Sequence, residues 1–245
     1  MTKGDSTKKQ KQPAQTVNTN SRPELRIDWA THEAAKYAVE NWHYSKRMPK
    51  SKLAKFGVWE DGRFIGVVIF GVGGTPGMFS SYGLKSVEGC ELVRIALTRH
   101  KTEVSRIVAI CIRLLKVSFP GLRLIVSFAD SEQGHHGGIY QAGNWLMAGS
   151  SSSSDEYIYK GKRWHGRAFR HRFKGLEKST EVTIVKGSKK LRYLMPLDDE
   201  MRKQIEPLRK PYPKRVRSVD SDTSAIHAEM GGANPTRTLS IPPEE

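Results

Sequence analysis

Hydrophobic and polar positions alternate through Leu25-Arg26-Ile27-Asp28-Trp29, the period-two pattern of a strand with one buried face. Thr31 then stands where a helix N-cap is wanted, and Ala34, Ala35, Ala38, Val39 and Trp42 fall on one face of a helix ending near His43. Two apolar runs, Phe56 to Trp59 and Phe64 to Val72, flank Glu60-Asp61-Gly62-Arg63, and an Asp-Gly pair between apolar runs predicts a β-hairpin. Glu91 to Leu97 reads as a further strand. After a polar stretch, Val104, Ile107, Val108, Cys111, Leu114 and Leu115 are spaced as a helix face, stopped by Pro120-Gly121. Leu122 to Phe128 has the continuous apolar character of a buried strand, Gly137 to Trp145 begins as a helix, and Glu156 to Lys160 and Val182 to Val185 supply two more strands.

The order β-α-β-β-β-α-β-α-β predicts an α+β domain over residues 24–212: a mixed, mostly antiparallel sheet flanked by helices, with one right-handed βαβ crossover. Residues 1–23 and 213–245 carry almost no apolar periodicity and read as disordered arms, and Ser150 to Ser154 as a short flexible loop. This order resembles the GCN5-related acetyltransferase (GNAT) type. The resemblance implies an acyl-CoA pyrophosphate at the N-terminus of the long helix, where free N–H groups favour anions. That place is Arg99 to Arg106, but the glycine-rich loop of that superfamily is replaced by Thr98-Arg99-His100-Lys101-Thr102-Glu103-Val104-Ser105-Arg106. Arg99, Lys101 and Arg106 could supply the phosphate contacts instead, and a solvated basic helix start would look the same.

Charge narrows the class of partner. The 245 residues carry 41 Lys and Arg against 25 Asp and Glu, a net +16. The excess is local: residues 160–192 hold 12 basic and 2 acidic groups. There they interleave with Trp164, His165, Phe169, His171 and Phe173, a mixture suited to phosphate contact and base stacking. Arg163, Trp164, Arg167, Arg170 and Arg172 are accordingly the candidate DNA-binding residues. The 2 cysteines, Cys90 and Cys111, disfavour a disulfide scaffold or a zinc finger. No apolar run reaches membrane-spanning length and the first residues form no secretory signal, so a soluble cytoplasmic protein is expected.

Two segments concentrate chemistry. His43-Tyr44-Ser45-Lys46 places an imidazole, a phenol, a hydroxyl and an amine at a helix C-terminus, where a histidine can also simply complement the helix dipole. Asp130 follows a buried strand and precedes Gly134-His135-His136-Gly137-Gly138-Ile139-Tyr140, the edge at which open sheets bind ligands, although an Asp there can equally cap a turn. Together with Glu91-Leu92-Val93-Arg94, Ala129-Asp130 and Asn144-Trp145, these segments resemble the phage Mom-type DNA-modification proteins. The resemblance implies an enzyme that uses acetyl-CoA and iron to attach an acetamido or methylcarbamoyl-type group to the exocyclic amine of adenine in double-stranded DNA, protecting phage DNA from host restriction. It points to His43, Tyr44, Asp130 and Tyr140 for catalysis, to His43, Tyr44 and Asp130 as iron ligands, and to Arg94, Ser105 and Arg106 for the acyl-CoA. Read from the residues alone, Asp130 or His43 can be the base that removes the amine proton, His135 and His136 are rival metal ligands, and Trp145, Trp164 or Tyr140 can stack on a flipped adenine. The competing readings are a non-catalytic DNA-binding protein on the same scaffold and a metal-dependent nuclease using Asp130 with His135 or His136. The oligomeric state stays open between monomer and homodimer.

Overall fold

The computed structural model describes residues 22–50, 54–75, 77–131, 134–151, 153 and 155–213. Nearly all of the two expected arms, and part of the serine loop, lie outside these residues. Strand β1 (Leu25–Trp29) leads into α1 (His32–Trp42), where Thr31 Oγ1 accepts the Ala34 N–H at 3.2 Å. β2 (Ala54–Glu60) and β3 (Arg63–Gly71) form the hairpin, and Asp61 and Gly62 take φ of 51° and 76°, the left-handed pair that a two-residue turn of this hand requires. β4 (Gly89–Leu97), α2 (Val104–Ser118) and β5 (Leu124–Asp130) make the crossover unit, with β4 and β5 paired in parallel. There follow α3 (Gly138–Ala142), β6 (Leu146–Ser150), β7 (Asp155–Tyr159), β8 (Lys162–His165), α4 (Gly166–Arg172), β9 (Val182–Lys186), β10 (Lys190–Pro196) and α5 (Asp199–Ile205).

The strands form a seven-stranded sheet in the order β1-β2-β3-β4-β5-β10-β6 and a three-stranded sheet in the order β8-β7-β9. Because side chains alternate across a strand, neighbours on β3 serve opposite faces. Val68 and Phe70 pack with Cys90, Leu92 and Ile125 against Ile107, Cys111 and Leu115 of α2, whereas Val67 and Ile69 meet Ala35, Ala38 and Val39 of α1. Further along the α1 face, Leu124, Val126, Leu146 and Leu194 are covered by Phe79, Tyr82 and the α5 residues Met201 and Ile205. Each fully buried side chain of this size contributes about 1.5–3 kcal/mol.

The mixed sheet flanked by helices is the expected class, and the first five strands, α1 and α2 fall where the pattern puts them. The second half differs. β10 inserts between β5 and β6, so Lys190, Leu191 and Arg192 belong to the main sheet rather than to a continuous basic strip. β6 takes Ser150 as its last residue, and β8, α4 and α5 had no counterpart in the periodicity. Each is short or carries charges at its ends, so its apolar period is too brief to stand out.

Candidate functional site

The parallel ladder of β4 and β5 runs from Gly89 and Leu124 to Leu92 and Ser127 and stops, although β4 continues to Leu97 and β5 to Asp130. A cavity of about 370 Å³ opens where the strands part, within the range of small-molecule sites. Leu92, Ala129 and Tyr140 line it from the α2 face, and His43, Tyr44 and Arg94 from the α1 face, so it threads the sheet. Its inner end is closed by a hydroxyl chain: Ser127 Oγ bonds the Leu92 carbonyl at 2.9 Å and the Tyr140 hydroxyl at 2.8 Å. Gly137 initiates α3 at φ 82°, and a Cβ there would lie 2.2 Å from the Tyr193 hydroxyl, which donates to the His136 carbonyl at 2.8 Å. Only glycine fits this close approach, so the turn after β5 can lay its histidines along the cavity.

His43 caps α1 and is buried. Its Nδ1 accepts the Ser45 backbone N–H at 3.1 Å and sits 2.8 Å from Ser45 Oγ. An amide can only donate, so the neutral ring carries its proton on Nε2. Burial first, then the positive fields of Arg94, His135 and Lys46, push the imidazole down to about 4, so it is a neutral N–H donor at physiological pH. Tyr44 packs against His43 with its ring tilted by 30° at 4.3 Å and meets His135 edge-on at 5.8 Å. Arg94 is likewise desolvated, and its guanidinium donates to the Val93 carbonyl at 2.6 Å. Tyr140 stacks on Tyr193, and burial pushes its phenol up to about 12, so it holds its proton.

His43, Tyr44, Arg94 and Tyr140 thus share one cavity, together with His135 and His136. Asp130 is placed differently: it lies outside the lining, its carboxylate 3.4 Å from Lys190 Nζ and accepting from Ser188 Oγ at 3.2 Å. Glu91, which sequence reasoning did not single out as chemical, lies on the same sheet face as Arg94 and accepts the Gly74 N–H at 2.9 Å. Burial pushes its carboxyl above the usual range, opposed by the Gly74 bond and by the charges of Arg94 and Lys190. The available signal was a lone acid in the otherwise apolar start of β4. Cys90 and Cys111 are buried, with thiols pushed up to about 12, which leaves neither as a thiolate.

The expected iron set of His43, Tyr44 and Asp130 is split, with His43 and Tyr44 lining the cavity and Asp130 outside the lining. Among the described residues no three His, Cys, Asp or Glu gather to hold a metal ion, His43 Nδ1 already accepts from Ser45, and Asp130 is engaged by Lys190. Ser105 and Arg106 occupy the first turn of α2, which has no acidic residue. The loop before it is already committed, because buried Glu60 accepts the Lys101 and Thr102 amides, each at 2.8 Å, and the Thr102 hydroxyl at 2.6 Å. The Lys101 and Thr102 amides and the Thr102 hydroxyl are therefore already engaged.

In the basic region, Phe169 of α4 is fully buried and stacks on Tyr157 at 4.4 Å, with Tyr159 and Phe173 around it. These aromatics are the core of the three-stranded unit rather than a stacking platform. Trp164 is half-buried against Phe173, with Lys162 over its ring. Arg163 pairs with Glu156, Arg170 donates to the Tyr157 hydroxyl, Arg172 lies near the Trp164 and Phe173 rings, and Arg167 donates to the Gly74 carbonyl at 2.9 Å. Trp145 is 1% exposed and Tyr140 8%, so neither offers an open ring face to a base.

Among solved structures, a Bacillus subtilis acetyltransferase in complex with CoA is 12% identical, covering 72% of this chain and all of its own at a TM-score of 0.43. A ribosomal-protein-S5-alanine acetyltransferase from Vibrio fischeri is 12% identical, covering 71% of this chain and 94% of its own at a TM-score of 0.40. At these values they add nothing to the topology already described. The methylcarbamoylase mom of Escherichia phage Mu is 25% identical over 204 residues, 78% of this chain and 84% of that protein. The profile of the Mom protein family matches residues 24–214, from the residue before β1 to just beyond α5 and across the whole cleft between β4 and β5, and on that match the chain belongs to the Mom protein family.

Proposed function

We propose that this protein transfers an acyl group derived from acetyl-CoA to the exocyclic amine of adenine in double-stranded DNA, with protection of phage DNA from restriction as the outcome. The observation that carries this reading is the cavity threading the sheet between β4 and β5. A cofactor seated at the α2 start can meet, inside the protein, an acceptor entering from the α1 face. Family membership and the activity named for the phage Mu relative support the same class of transfer.

Ser105 and Arg106 would hold the cofactor's phosphates at the helix N-terminus. When bound, the cofactor would supply the activated carbonyl carbon of its thioester, whose carbon–sulfur bond breaks as the amine bond forms, with CoA leaving as the thiol. The adenine amine is a weak nucleophile because its lone pair is delocalised into the ring, so its proton must leave as the new bond forms. His43 is poorly suited to take it, because its Nδ1 already accepts the Ser45 amide and its basicity is pushed down to about 4, and it serves instead to donate a hydrogen bond from Nε2 to a developing oxygen charge. The carboxylates of the α1 face, Glu91 and Asp130, stand just outside the cavity lining and share the field of Lys190, and this pair accepts the proton through an intervening water. Arg94 adds positive charge beside the cavity, Tyr44 covers the mouth, and Tyr140 keeps a hydroxyl proton at its inner end. The three-stranded unit, with Arg163, Arg170, Arg172 and its lysines, holds the DNA through phosphates, and Trp164 is a half-buried ring for stacking beside them. The target adenine leaves the stack to reach the cavity.

Mass spectrometry of nucleosides from DNA of cells expressing the chain is the deciding experiment. A new adenine adduct that requires Glu91 and Asp130 is expected. Unmodified, intact DNA from cells holding folded protein refutes the transferase and leaves a DNA-binding protein, and nicked DNA would instead favour a nuclease.

A further inference from the structure

Gly74 uses both of its backbone polar groups across two parts of the molecule. Its N–H donates to Glu91 Oε2 at 2.9 Å, and its carbonyl accepts from Arg167 Nη1 at 2.9 Å, from a residue 93 positions away in sequence. The first bond ends on β4, beside the point where the strands part. The second begins on α4, in the basic three-stranded unit. Arg163 and Arg170 engage partners inside that unit, Glu156 and Tyr157, whereas Arg167 reaches the segment that follows β3. Gly74 has no side chain to fix its orientation, and a Cβ there would already approach Glu91 Oε2 to 3.4 Å. The N–H and the carbonyl belong to adjacent peptide planes that meet at the Gly74 Cα, so the Arg167 bond anchors that Cα and with it the end of the segment from which the N–H reaches Glu91.

We propose that Arg167 is a positioning residue, which clamps Gly74 so that the Gly74 N–H holds the Glu91 carboxylate at the cleft, and thereby ties the placement of the basic unit to the geometry of the proton acceptor. This rests on the transferase reading above and departs from the expectation that Arg167 is one more phosphate contact. A phosphate contact contributes to DNA affinity and to its salt dependence. A clamp contributes to turnover once DNA is bound. An arginine suits the second task because its planar guanidinium fixes the direction of the bond it donates, and one of its five N–H groups is already spent on the Gly74 carbonyl.

The test compares Arg167→Ala, Arg167→Lys and Arg172→Ala in the full chain. Hydrogen exchange is followed on a peptide spanning Gly74, and binding of a fluorescent 20-base-pair duplex is followed against salt by anisotropy. Adduct formation is followed against duplex concentration. With Arg167→Ala, exchange at Gly74 accelerates by about tenfold or more, as expected for loss of a bond from a charged donor. Duplex affinity and its salt slope stay within about twofold of the parent, the maximal rate of adduct formation falls by about tenfold, and KM for DNA holds. Arg167→Lys, which can still donate to the carbonyl, recovers part of both losses. Arg172→Ala lowers affinity and the salt slope and leaves Gly74 exchange unchanged. Unchanged exchange in Arg167→Ala, or a salt slope reduced by about 0.9 with an unchanged maximal rate, overturns the clamp. A parent that binds DNA without forming adduct overturns the transferase reading instead, and the exchange result still decides whether the clamp exists.

Discussion

Glu60 closes the end of β2 at 3% exposure, and its carboxylate accepts three hydrogen bonds, from the Lys101 amide on one oxygen and from the Thr102 amide and hydroxyl on the other. Glu60→Gln keeps the size and replaces one oxygen with an NH2 group, which faces a donor whichever way the amide turns. At least one charge-assisted bond is lost, and bonds to charged groups contribute about 1.5–3 kcal/mol each, so a destabilisation of about 2–3 kcal/mol is expected. Burial would raise the Glu60 carboxyl, but the bonds from Thr102 and Lys101 outweigh it and hold the group below its ordinary 4.5. A carboxyl depressed in the folded state contributes stability that is fully present above its unfolded value and is lost as pH falls through the folded one. Parent and variant should therefore differ most above pH 4.5 and converge as acid protonates Glu60 in the parent. Urea unfolding read by far-ultraviolet circular dichroism at several pH values measures this as a shift in midpoint of about 1 M with an unchanged slope. Because the loop Thr98 to Glu103 delivers the start of α2, the variant should also bind CoA more weakly in calorimetry. A Gln variant within about 0.5 kcal/mol of the parent at neutral pH, or a difference that grows as pH falls, would refute this account of how the helix start is held.

Phe169→Ala, which empties the centre of the aromatic cluster under β7, should cost about 3–5 kcal/mol in the three-stranded unit and remove DNA binding in anisotropy, while CoA affinity stays. Gly137→Ala would place a methyl 2.2 Å from the Tyr193 hydroxyl at a left-handed φ of 82°, so a fall in melting temperature of several degrees is expected in calorimetry, and an unchanged value would show that the turn after β5 yields easily. Calorimetric titration of Arg106→Ala with CoA should show weakening of about tenfold, and equal affinity would remove Arg106 from the cofactor site. Glu91→Gln and Asp130→Asn should each lower adduct formation by at least about tenfold with duplex affinity unchanged, and full activity in either would leave the other as the proton acceptor.

The sequence by itself determined the frame: the Asp61-Gly62 turn, the Thr31 cap, the apolar stripe of α2 and the buried strand before Asp130 are local signals that need no partner to be read. It also placed His43, Tyr44, Arg94 and Tyr140 in short motifs that prove to share one cavity. Tertiary structure alone decided the rest. β10 belongs to the main sheet because its pairing partners lie some 60 residues back in β5 and some 40 back in β6, and its own charged ends conceal a strand that only its neighbours complete. Whether Trp164 and Phe169 stack on bases or pack against Phe173 and Tyr157 depends on α4 folding onto β7, which no period within Lys160 to Arg192 records. The tautomer of His43 follows from one backbone amide in the turn after α1. Glu91 carries only a faint local mark, a lone acid in the apolar start of β4: its elevated carboxyl arises from burial beside Gly74, a residue brought to it by the return of the chain after β3 and held from the far side by Arg167. A titratable group's chemistry is set by desolvation and by charges that arrive from distant parts of the chain, and those exist only once the fold has assembled them.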